Sequence, residues 1–321
     1  MKSRLFAACA TAVIGTFITL SFVSCNKDDD NTTTTDNTIT GKVVAGANFT
    51  VLEKAVIKAG LNGTLSGTGP FTVFAPDDAA FSAAGITAAT VDALSADQLQ
   101  KLLLYHTLAS KVLAADVPAG PNAKVATANS PADSIFVTRN ANGVYVNGVK
   151  VVTADVAASN GVIHILAKAL NKPSGNIVAT AQANVGGDDG LDSLVTAIVR
   201  ADAASPGLIT LINTNVLTVF APTNKAFRDL LTALGVSNIS QIPIATLSAV
   251  LSYHVVGGRA FSSDLSNGSL AMFAGGNTTI DVSGAGATIK GTSNTTASNI
   301  IATDVMAYNG VVHLIDRVLL P

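Results

Sequence analysis

An internal repeat is the feature that most limits how this chain of 321 residues can fold. Residues 72–81 read TVFAPDDAAF, and residues 218–227 read TVFAPTNKAF. A second matching pair follows in the same order, NGVIHIL at 160–166 and NGVVHLI at 309–315. Matching positions are about 145 residues apart, whereas a solenoid unit repeats every 20–50 residues or so. The sequence therefore predicts a tandem of two similar domains.

The first residues have the pattern of an export signal. Lys2 and Arg4 precede an apolar run at residues 5–23, which ends in small residues before Cys25. Such a pattern is typical of a secretory signal, although the run is also about long enough for a membrane-spanning helix. The FVSC ending is similar to a bacterial lipobox, which implies a lipoprotein signal peptide at 1–24 and lipid attachment at Cys25.

Cysteine usage agrees with this interpretation. The chain has two cysteines, and Cys9 lies inside the signal, so the mature protein keeps only Cys25. An internal disulfide is then impossible, although secreted proteins often use them. Stability must come from core burial, which two domains of this size can supply.

The segment after Cys25 reads as a disordered tether, residues 25–38. Residues 26–38 hold no apolar side chain, so they cannot bury enough surface to offset their chain entropy. Residues 27–30 (KDDD) are similar to the acidic signal that sends lipoproteins of Bacteroidetes-type bacteria to the outer face of the outer membrane. We expect a lipid-anchored outer-membrane protein facing the exterior; a plain hydrophilic spacer is the alternative.

Composition excludes one class of partner. Only 12% of residues are charged, the formal net charge is −2, and lysines and arginines are scattered. Nucleic-acid binding needs a concentrated basic surface, so it is not expected. Tryptophan is absent, which weakens a sugar-stacking platform without excluding contact with a glycan.

Each repeat opens with a pattern that predicts an amphipathic helix, because apolar residues recur at spacings of three, four and seven. A short apolar strand follows at residues 71–75 and 217–221, and Pro76 and Pro222 end it because proline cannot donate into a sheet. The helical positions are Phe49, Leu52, Val56 and Ile57 in the first repeat and Leu191, Leu194, Val195, Ile198 and Val199 in the second.

Polar residues predict where the next helices begin. Asp77 or Asp78, with Thr223 or Asn224 in the second repeat, can cap a short helix. The sequence SADQ at 95–98 has the spacing of a capping box and predicts a second amphipathic helix. Its periodicity places His106 on the apolar face, and the matching helix of the second repeat places His254 there.

The remainder of each repeat is typical of β structure. Asn147-Gly148 lies between two apolar runs and favours a tight hairpin turn. Asn160-Gly161 and Asn309-Gly310 each precede a final apolar strand. Since helices come early and strands late, we predict an α+β fold.

These landmarks together resemble the fasciclin domain. Its first signature is similar to TVFAPDDAAF and TVFAPTNKAF, its Tyr-His pair to residues 105–106 and 253–254, and its second signature to the NGVIH-type strands. The resemblance covers residues from about 40 to 321 and implies two tandem domains, 39–172 and 173–321, each a wedge of β-strands with several packed helices. Family members are mostly adhesion and matrix-binding modules, tethered or secreted, and are not usually enzymes.

The resemblance also implies candidate contact residues. In some animal members the Tyr-His region and an Asp-Ile segment before the second signature are implicated in integrin-dependent adhesion. We carry over the positions and not the partner, because the flanking residues differ and integrins do not suit a bacterial lipoprotein. A purely structural role in the strands is the alternative. The candidates are Tyr105, His106, Asp155, Val156, Tyr253, His254, Asp304 and Val305.

Catalytic and metal chemistry find little support in the sequence. The four histidines, His106, His164, His254 and His313, lie at repeat-equivalent positions in apolar helices or strands, which favours packing. No histidine pair has metal-ligand spacing, and no GxSxG motif exposes a serine, so no metal, cofactor or catalytic residue is expected. The GGDDG segment at 186–190 could suggest a calcium loop, but it lacks the EF-hand pattern and suits a linker or N-cap, with Asp188 or Asp189 near the next helix.

Two functions remain open from the sequence. The first is a non-catalytic surface adhesion or binding lipoprotein that engages an extracellular macromolecule, such as a matrix protein, a biofilm component or a polysaccharide. The second is a hydrolase of an extracellular polymer. A site present in one repeat and missing in the other would favour the hydrolase, and none is visible.

Overall fold

The chain forms two seven-stranded sheets with helices packed on them. This computed structural model describes residues 36–321, except for the side chains of residues 130–132. The signal peptide, Cys25 and most of the tether lie outside the described residues. The expected α+β fold of two tandem wedges is confirmed.

The first domain places six helices before most of its strands. Its sheet has the order β2-β1-β7-β6-β5-β4-β3. The elements are α1 (Ile39–Ala45), α2 (Thr50–Lys58), α3 (Asn62–Ser66), β1 (Phe71–Pro76), α4 (Asp78–Ala83), α5 (Ala88–Ala93), α6 (Ala96–Tyr105), β2 (Thr107–Leu108), a 3-10 turn (Ala114–Asp116), β3 (Gly120–Thr127), β4 (Ser130–Asn140), β5 (Gly143–Val146), β6 (Val149–Ala158) and β7 (Gly161–Leu166).

The second domain repeats this plan with a shorter set of hairpin strands. Its sheet has the order β10-β11-β12-β13-β14-β8-β9. The elements are α7 (Ile177–Ala183), α8 (Asp192–Ala204), α9 (Leu208–Thr214), β8 (Leu217–Pro222), α10 (Asn224–Leu234), a 3-10 turn (Ile239–Gln241), α11 (Ile244–Ser252), β9 (Val255–Gly257), a 3-10 turn (Ser262–Asp264), β10 (Gly268–Ala271), β11 (Asn277–Asp281), β12 (Thr288–Lys290), β13 (Ser298–Ala307) and β14 (Gly310–Ile315).

The two repeated sequence segments lie side by side at the centre of each sheet. In the first domain β1 pairs in parallel with β7, with Phe74 opposite His164. In the second, β8 pairs in parallel with β14, with Phe220 opposite His313. Both strands of each pair are almost entirely buried, which explains their continuous apolar sequence.

Local sequence signals are confirmed at several element ends. Asp77 caps α4, and its side chain accepts the N–H of Ala80. Ser95 and Gln98 form the reciprocal capping box at the start of α6, with bonds of 2.9 and 3.2 Å. The Asn147-Gly148 turn joins β5 to β6, and both of its residues have positive φ, as a two-residue hairpin of this type requires.

Two predicted core positions are wrong. Ile57 and Val199 are 59% and 52% exposed. Each lies about 140° around its helix from the buried leucine of the same stripe, given roughly 100° per residue. The buried stripe is completed instead by alanines, Ala55 in α2 and Ala197 in α8.

Of the two interpretations of residues 186–190, a linker or an N-cap, the N-cap is wrong, because Leu191 occupies the N-cap position of α8 and makes no side-chain capping bond. Asp188 forms a surface ion pair with Arg228 at 2.7 Å. The start of α8 is capped by a residue of α10: the side-chain oxygen of Asn224 accepts the N–H of Ser193 at 2.8 Å. Asp78 does the same for α2, accepting backbone N–H groups from that helix.

Each domain has cores of its own, and a small cluster spans the boundary between them. Phe261, Met306 and Val311 of the second domain pack together, and Phe136 of the first domain packs against them. Among residues 36–321 no single helix is long and apolar enough to cross a membrane; α8 and α9 pass that test only as a pair, with a bend of 115° between them.

Candidate functional site

In the first domain the candidate segment Asp155-Val156 lies on a bulge of β6. A register shift between Thr153 and Val156 leaves two residues of β6 opposite His164 of β7. Asp155 has a φ of 60°. This left-handed backbone is uncommon outside glycine, and aspartate is among the few residues that tolerate it.

His164 holds this bulge in place. Its Nδ1 accepts the backbone N–H of Asp155 at 3.2 Å, and its Nε2 lies 2.9 Å from the carbonyl oxygen of Val112. Because a carbonyl only accepts and a backbone N–H only donates, Nε2 is the donor of this ring and Nδ1 is its acceptor. The ring stacks on Phe74 with centroids 5.4 Å apart. The Asp155 carboxylate accepts the N–H of Ala114 at 2.9 Å, so both ends of the residue are fixed.

The second domain builds the same arrangement around Asp304, whose φ is 62°. Its N–H donates to Nδ1 of His313 at 3.3 Å, and Nε2 of that ring lies 2.9 Å from the Ala260 carbonyl oxygen. Phe220 stacks on the ring at 5.4 Å, and the N–H of Ser262 donates to the Asp304 carboxylate at 2.7 Å. Burial lowers the pKa of His313, although the nearby Asp304 carboxylate acts in the opposite direction.

The histidine of the first Tyr-His pair is a buried connector. Nδ1 of His106 donates to the carbonyl of Leu102 at 2.9 Å, and Nε2 accepts the N–H of Leu170 at 2.9 Å. The ring therefore ties the last turn of α6 to the chain that follows β7. Burial lowers the pKa of His106 to about 4, so it is neutral at physiological pH.

His254 repeats this role in the second domain. Its Nδ1 donates to the Val250 carbonyl at 2.7 Å, and its Nε2 accepts the N–H of Leu319 at 2.9 Å. Burial lowers its pKa to about 4 as well. Each of the four histidines of the chain thus bonds two backbone groups. His106 and His254 donate through Nδ1, whereas His164 and His313 donate through Nε2.

The tyrosines of the two pairs anchor their helices to the hairpin strands. The Tyr105 hydroxyl donates to the Ser134 carbonyl at 3.3 Å and accepts from the Asn147 amide at 3.0 Å. Burial raises the pKa of Tyr105 to about 12. The Tyr253 hydroxyl bonds the carbonyl of Asn277.

Burial separates the eight candidate contacts into two groups. Tyr105, His106, Tyr253 and His254 are only 1–4% exposed. A ligand on the surface therefore has no direct access to these four side chains, and their bonds give them a supporting role. Val156 and Val305 are partly buried and pack against the core of their own domain.

The two aspartates differ in what surrounds them. The Asp155 side chain is 42% exposed. Val152, three residues earlier on the same strand, is 54% exposed. Asp304 instead faces the hairpin turn of the first domain, where a Cβ added at Gly148 would lie 2.6 Å from its carboxyl carbon. Asp155 is therefore the more exposed of the two aspartates, since Asp304 is partly buried.

Sequence reasoning missed the contact between the domains. Phe136 of β4 lies 6.2 Å from Phe261, measured between ring centroids, and the Arg259 guanidinium carbon lies 4.2 Å from the Phe136 centroid. The Asn122 amide donates to Asp264 at 3.0 Å. A lone arginine in the apolar stretch HVVGGRAF was the available signal, since a charge there needs buried partners.

The comparisons with known proteins agree with the geometry. The fasciclin domain family matches residues 47–172 and 192–321. This chain belongs to the fasciclin domain family. Protein sll1483 of Synechocystis is 39% identical over 145 residues, which is 43% of this chain and 77% of that protein. The transforming growth factor-beta-induced protein ig-h3 of Sus scrofa is 30% identical over 264 residues, 80% of this chain and 35% of that protein.

Two further matches have lower sequence identity. Human periostin is 27% identical over 269 residues, 80% of this chain and 29% of periostin, so the chain spans about a third of these animal relatives. A solved FAS1 domain pair from the insect cell adhesion molecule fasciclin I matches with a TM-score of 0.40 and 17% identity, covering 88% of this chain and 96% of that one.

Each fasciclin domain here includes a short helix that precedes the matched residues. Ile39 of α1 and Ile177 of α7 are buried in the core of their domain. The side-chain oxygen of Asn160 accepts the N–H of Ile39 at 2.9 Å, and Asn309 accepts that of Ile177 at 3.0 Å. The asparagine of the second signature therefore fixes the first helix of each domain.

The glycine-rich segment at 186–190 serves the start of α8. The Asp192 carboxylate accepts the N–H of Gly186 and the side-chain amide of Asn224, both at 2.7 Å. These bonds lower the pKa of Asp192. Within residues 36–321 no group of three or more His, Cys, Asp or Glu side chains is arranged to hold a metal ion.

Proposed function

We propose that this protein is a non-catalytic adhesion or binding module, held at the outer surface of the cell by lipid at Cys25, that contacts an extracellular protein or glycan. The observation that carries the proposal is the exposed, fixed segment of β6 around Asp155. Fasciclin domains serve mostly in adhesion and matrix binding. The Asp155 segment matches the position of the segment that is implicated in adhesion in some animal members of the family.

The geometry of the segment supports a contact role. A bulge at an exposed strand edge aims a side chain away from the sheet, and bulges are frequent at functional sites. Asp155 is held at its N–H by His164 and at one carboxylate oxygen by Ala114, so little conformational entropy is lost when a ligand binds. The Asp155 carboxylate is charged and 42% exposed, and Val152 on the same strand is an exposed apolar side chain.

The matched test uses the two aspartates. Asp155→Asn removes the charge while keeping a residue that tolerates positive φ. We expect it to weaken retention on immobilised matrix proteins or biofilm polysaccharide by about 5-fold or more, as loss of a charged hydrogen bond does. Asp304→Asn is the control, because that side chain faces the first domain. Equal retention by both variants and the unchanged protein would remove Asp155 from the contact.

The proposed lipid anchor at the outer surface is tested separately. Mass spectrometry of the native N-terminus should find a chain that begins with an acylated Cys25. The Cys25→Ala variant cannot be acylated, so it should either be released from the membrane fraction or accumulate as the uncut precursor. An uncut native chain, or a variant that stays anchored in the same form, would contradict the lipid anchor. Turnover of any polymer by the purified protein would favour a hydrolase instead.

A further inference from the structure

A hairpin of the first domain covers the face of the second domain that includes Asp304. Phe136 of β4 packs against a cluster that includes Phe261 and Met306. The guanidinium carbon of Arg259 lies 4.2 Å from the centroid of the Phe136 ring. An aromatic ring that rests on apolar side chains beside a cation is therefore the centre of this contact.

Two asparagine amides hold the hairpin beside this ring. The Asn122 amide donates to the Asp264 carboxylate at 3.0 Å and to the Arg259 carbonyl at 2.5 Å. The Asn140 amide donates to the Ser263 carbonyl at 3.1 Å. These bonds fix strands β3 and β4 on the 3-10 turn that contains Ser263. The second domain thus recognises an aromatic residue flanked by asparagines.

The first domain contains the same turn, built by the same bonds. The first N–H of each turn, Ala114–Asp116 and Ser262–Asp264, donates to the bulge aspartate of its own domain, at 2.9 and 2.7 Å respectively. The last aspartate of each turn accepts the N–H of the residue before the turn, at 3.1 and 2.8 Å. Positions 111–116 therefore match positions 259–264 one for one.

The matched positions also have the same chemistry. Each face combines a cation, two apolar side chains and two carboxylates. The matched pairs are Lys111 with Arg259, Leu113 with Phe261, Asp116 with Asp264, Asp155 with Asp304, and Ala157 with Met306. We call the first member of each pair the Asp155 face and the second the Asp304 face. Leucine and alanine are smaller than phenylalanine and methionine, so the Asp155 face has room for a ring at least as large as that of phenylalanine.

The two faces differ in exposure. Leu113 is 37% exposed, whereas Phe261 is 0% exposed beneath the first domain. The other four members of the Asp155 face are also exposed, and their counterparts in the Asp304 face are buried or partly buried. The Asp155 face is therefore an exposed copy of a surface that binds a protein hairpin within this same chain.

We propose that the Asp155 face binds a β-hairpin of another protein, one that presents an aromatic side chain flanked by asparagines. The ring packs on Leu113 and Ala157 beside the Lys111 ammonium, and an asparagine amide donates to the Asp116 carboxylate. Aromatic residues in apolar pockets supply much of the binding energy at protein interfaces. This partner class rests on the proposed function, because it names what the segment around Asp155 binds.

The second domain does not offer such a hairpin to a second copy of the chain. The tyrosine of each Tyr-His pair bonds the carbonyl of Ser134 in β4 or of Asn277 in β11, so these two strands correspond. Two residues further on, β4 has Phe136 and β11 has Thr279. Because Thr279 has no ring, the partner is a different protein.

The hairpin of the first domain is the probe, once it is released from the Asp304 face by Ser263→Trp. The Ser263 side-chain oxygen is buried, so the closed pair has no room for an indole there. The matched Ala115 is exposed, so the turn itself tolerates a large side chain. Small-angle X-ray scattering of the chain from residue 26 should show a larger radius of gyration for this variant.

Surface plasmon resonance then measures how the released chain binds the immobilised unchanged chain, whose Asp155 face is exposed. Leu113→Asp in the immobilised chain should weaken binding about 10-fold or more, because a charge replaces the base on which the ring packs. Phe136→Ser in the released chain should weaken it to a similar extent. Leu234→Asp in the immobilised chain is the matched control, since this leucine is 54% exposed on the second domain and binding should not change.

The proposal is overturned if the released chain does not bind, or if it binds the Leu113→Asp chain as tightly as the unchanged chain. If scattering shows that Ser263→Trp leaves the domains together, a backbone-cyclised peptide of residues 119–141 is the probe, and the same two outcomes decide. Failure of this test while Asp155→Asn still weakens retention on polysaccharide would keep the proposed function with a glycan ligand. Failure of both tests would remove the proposed function as well.

Discussion

The guanidinium carbon of Arg259 lies 4.2 Å from the ring centroid of Phe136, across the boundary between the two fasciclin domains. The same guanidinium donates to the carbonyls of Ala307 and Tyr308 at 3.2 and 3.1 Å, and also to that of Gly310. One side chain therefore closes the last hairpin of the second domain and presents a cation to the first. Burial lowers its pKa to about 10, which still leaves it protonated at neutral pH.

Replacing Arg259 with alanine should destabilise the second domain by about 2–4 kcal/mol, because three carbonyls lose a charged donor together. Urea unfolding measures the change. Arg228→Ala is the matched control, since its ion pair with Asp188 is on the surface and should contribute no more than about 1 kcal/mol. A loss for Arg259→Ala as small as for the control would show that the carbonyls find other donors.

We also predict that the two domains fold separately. The large apolar clusters each belong to one domain, and the cluster that spans the boundary has Phe136 as its contribution from the first domain. Fragments 39–172 and 176–321 should each unfold in one cooperative transition, measured by calorimetry. If either fragment is unfolded when alone, the interface around Phe136 contributes more to the stability of that domain than its small size suggests.

Local patterns predicted local structure well. Ser95 with Gln98, and Asn147 with Gly148, act within a few residues, so spacing alone identified a capping box and a hairpin turn. Arg259 could not be assigned that way, because its partners are distant in the sequence or in the other domain. Whether a candidate contact is exposed also depends on tertiary packing, which is why two equivalent aspartates end in different surroundings.

A close approach explains the glycine of the second signature. A Cβ at Gly161 would overlap the carbonyl oxygen of Phe71, and the same is true of Gly310 and Leu217. Gly161→Ala should therefore force β1 and β7 apart and destabilise the first domain by on the order of 3 kcal/mol. Gly63→Ala is the control, because nothing lies near that position and alanine favours helix α3 by about 0.5–1 kcal/mol. Thermal unfolding compares the two; a Gly161→Ala protein as stable as the control would refute the steric argument.

His106 and His254 should make the stability of the fold depend on pH in a defined direction. Their pKa values fall from an ordinary 6.5 to about 4 on burial. Below pH 6.5 the unfolded chain binds protons that the folded chain does not, so their contribution is complete above that pH. It falls steadily toward pH 4, by on the order of 3 kcal/mol for each histidine.

The test compares the domains within one protein. His106→Gln keeps an amide that can donate to Leu102 and accept from Leu170 but cannot titrate. It should lower the stability of the first domain at pH 7 by about 1–3 kcal/mol. Between pH 6.5 and 4 that domain should then lose less stability than before, while the second domain, with His254 intact, keeps its full dependence. Because carboxylates titrate in both versions of the protein, the difference between them isolates the histidine. An unchanged pH profile would mean that His106 is charged in the folded state, contrary to the two bonds it makes.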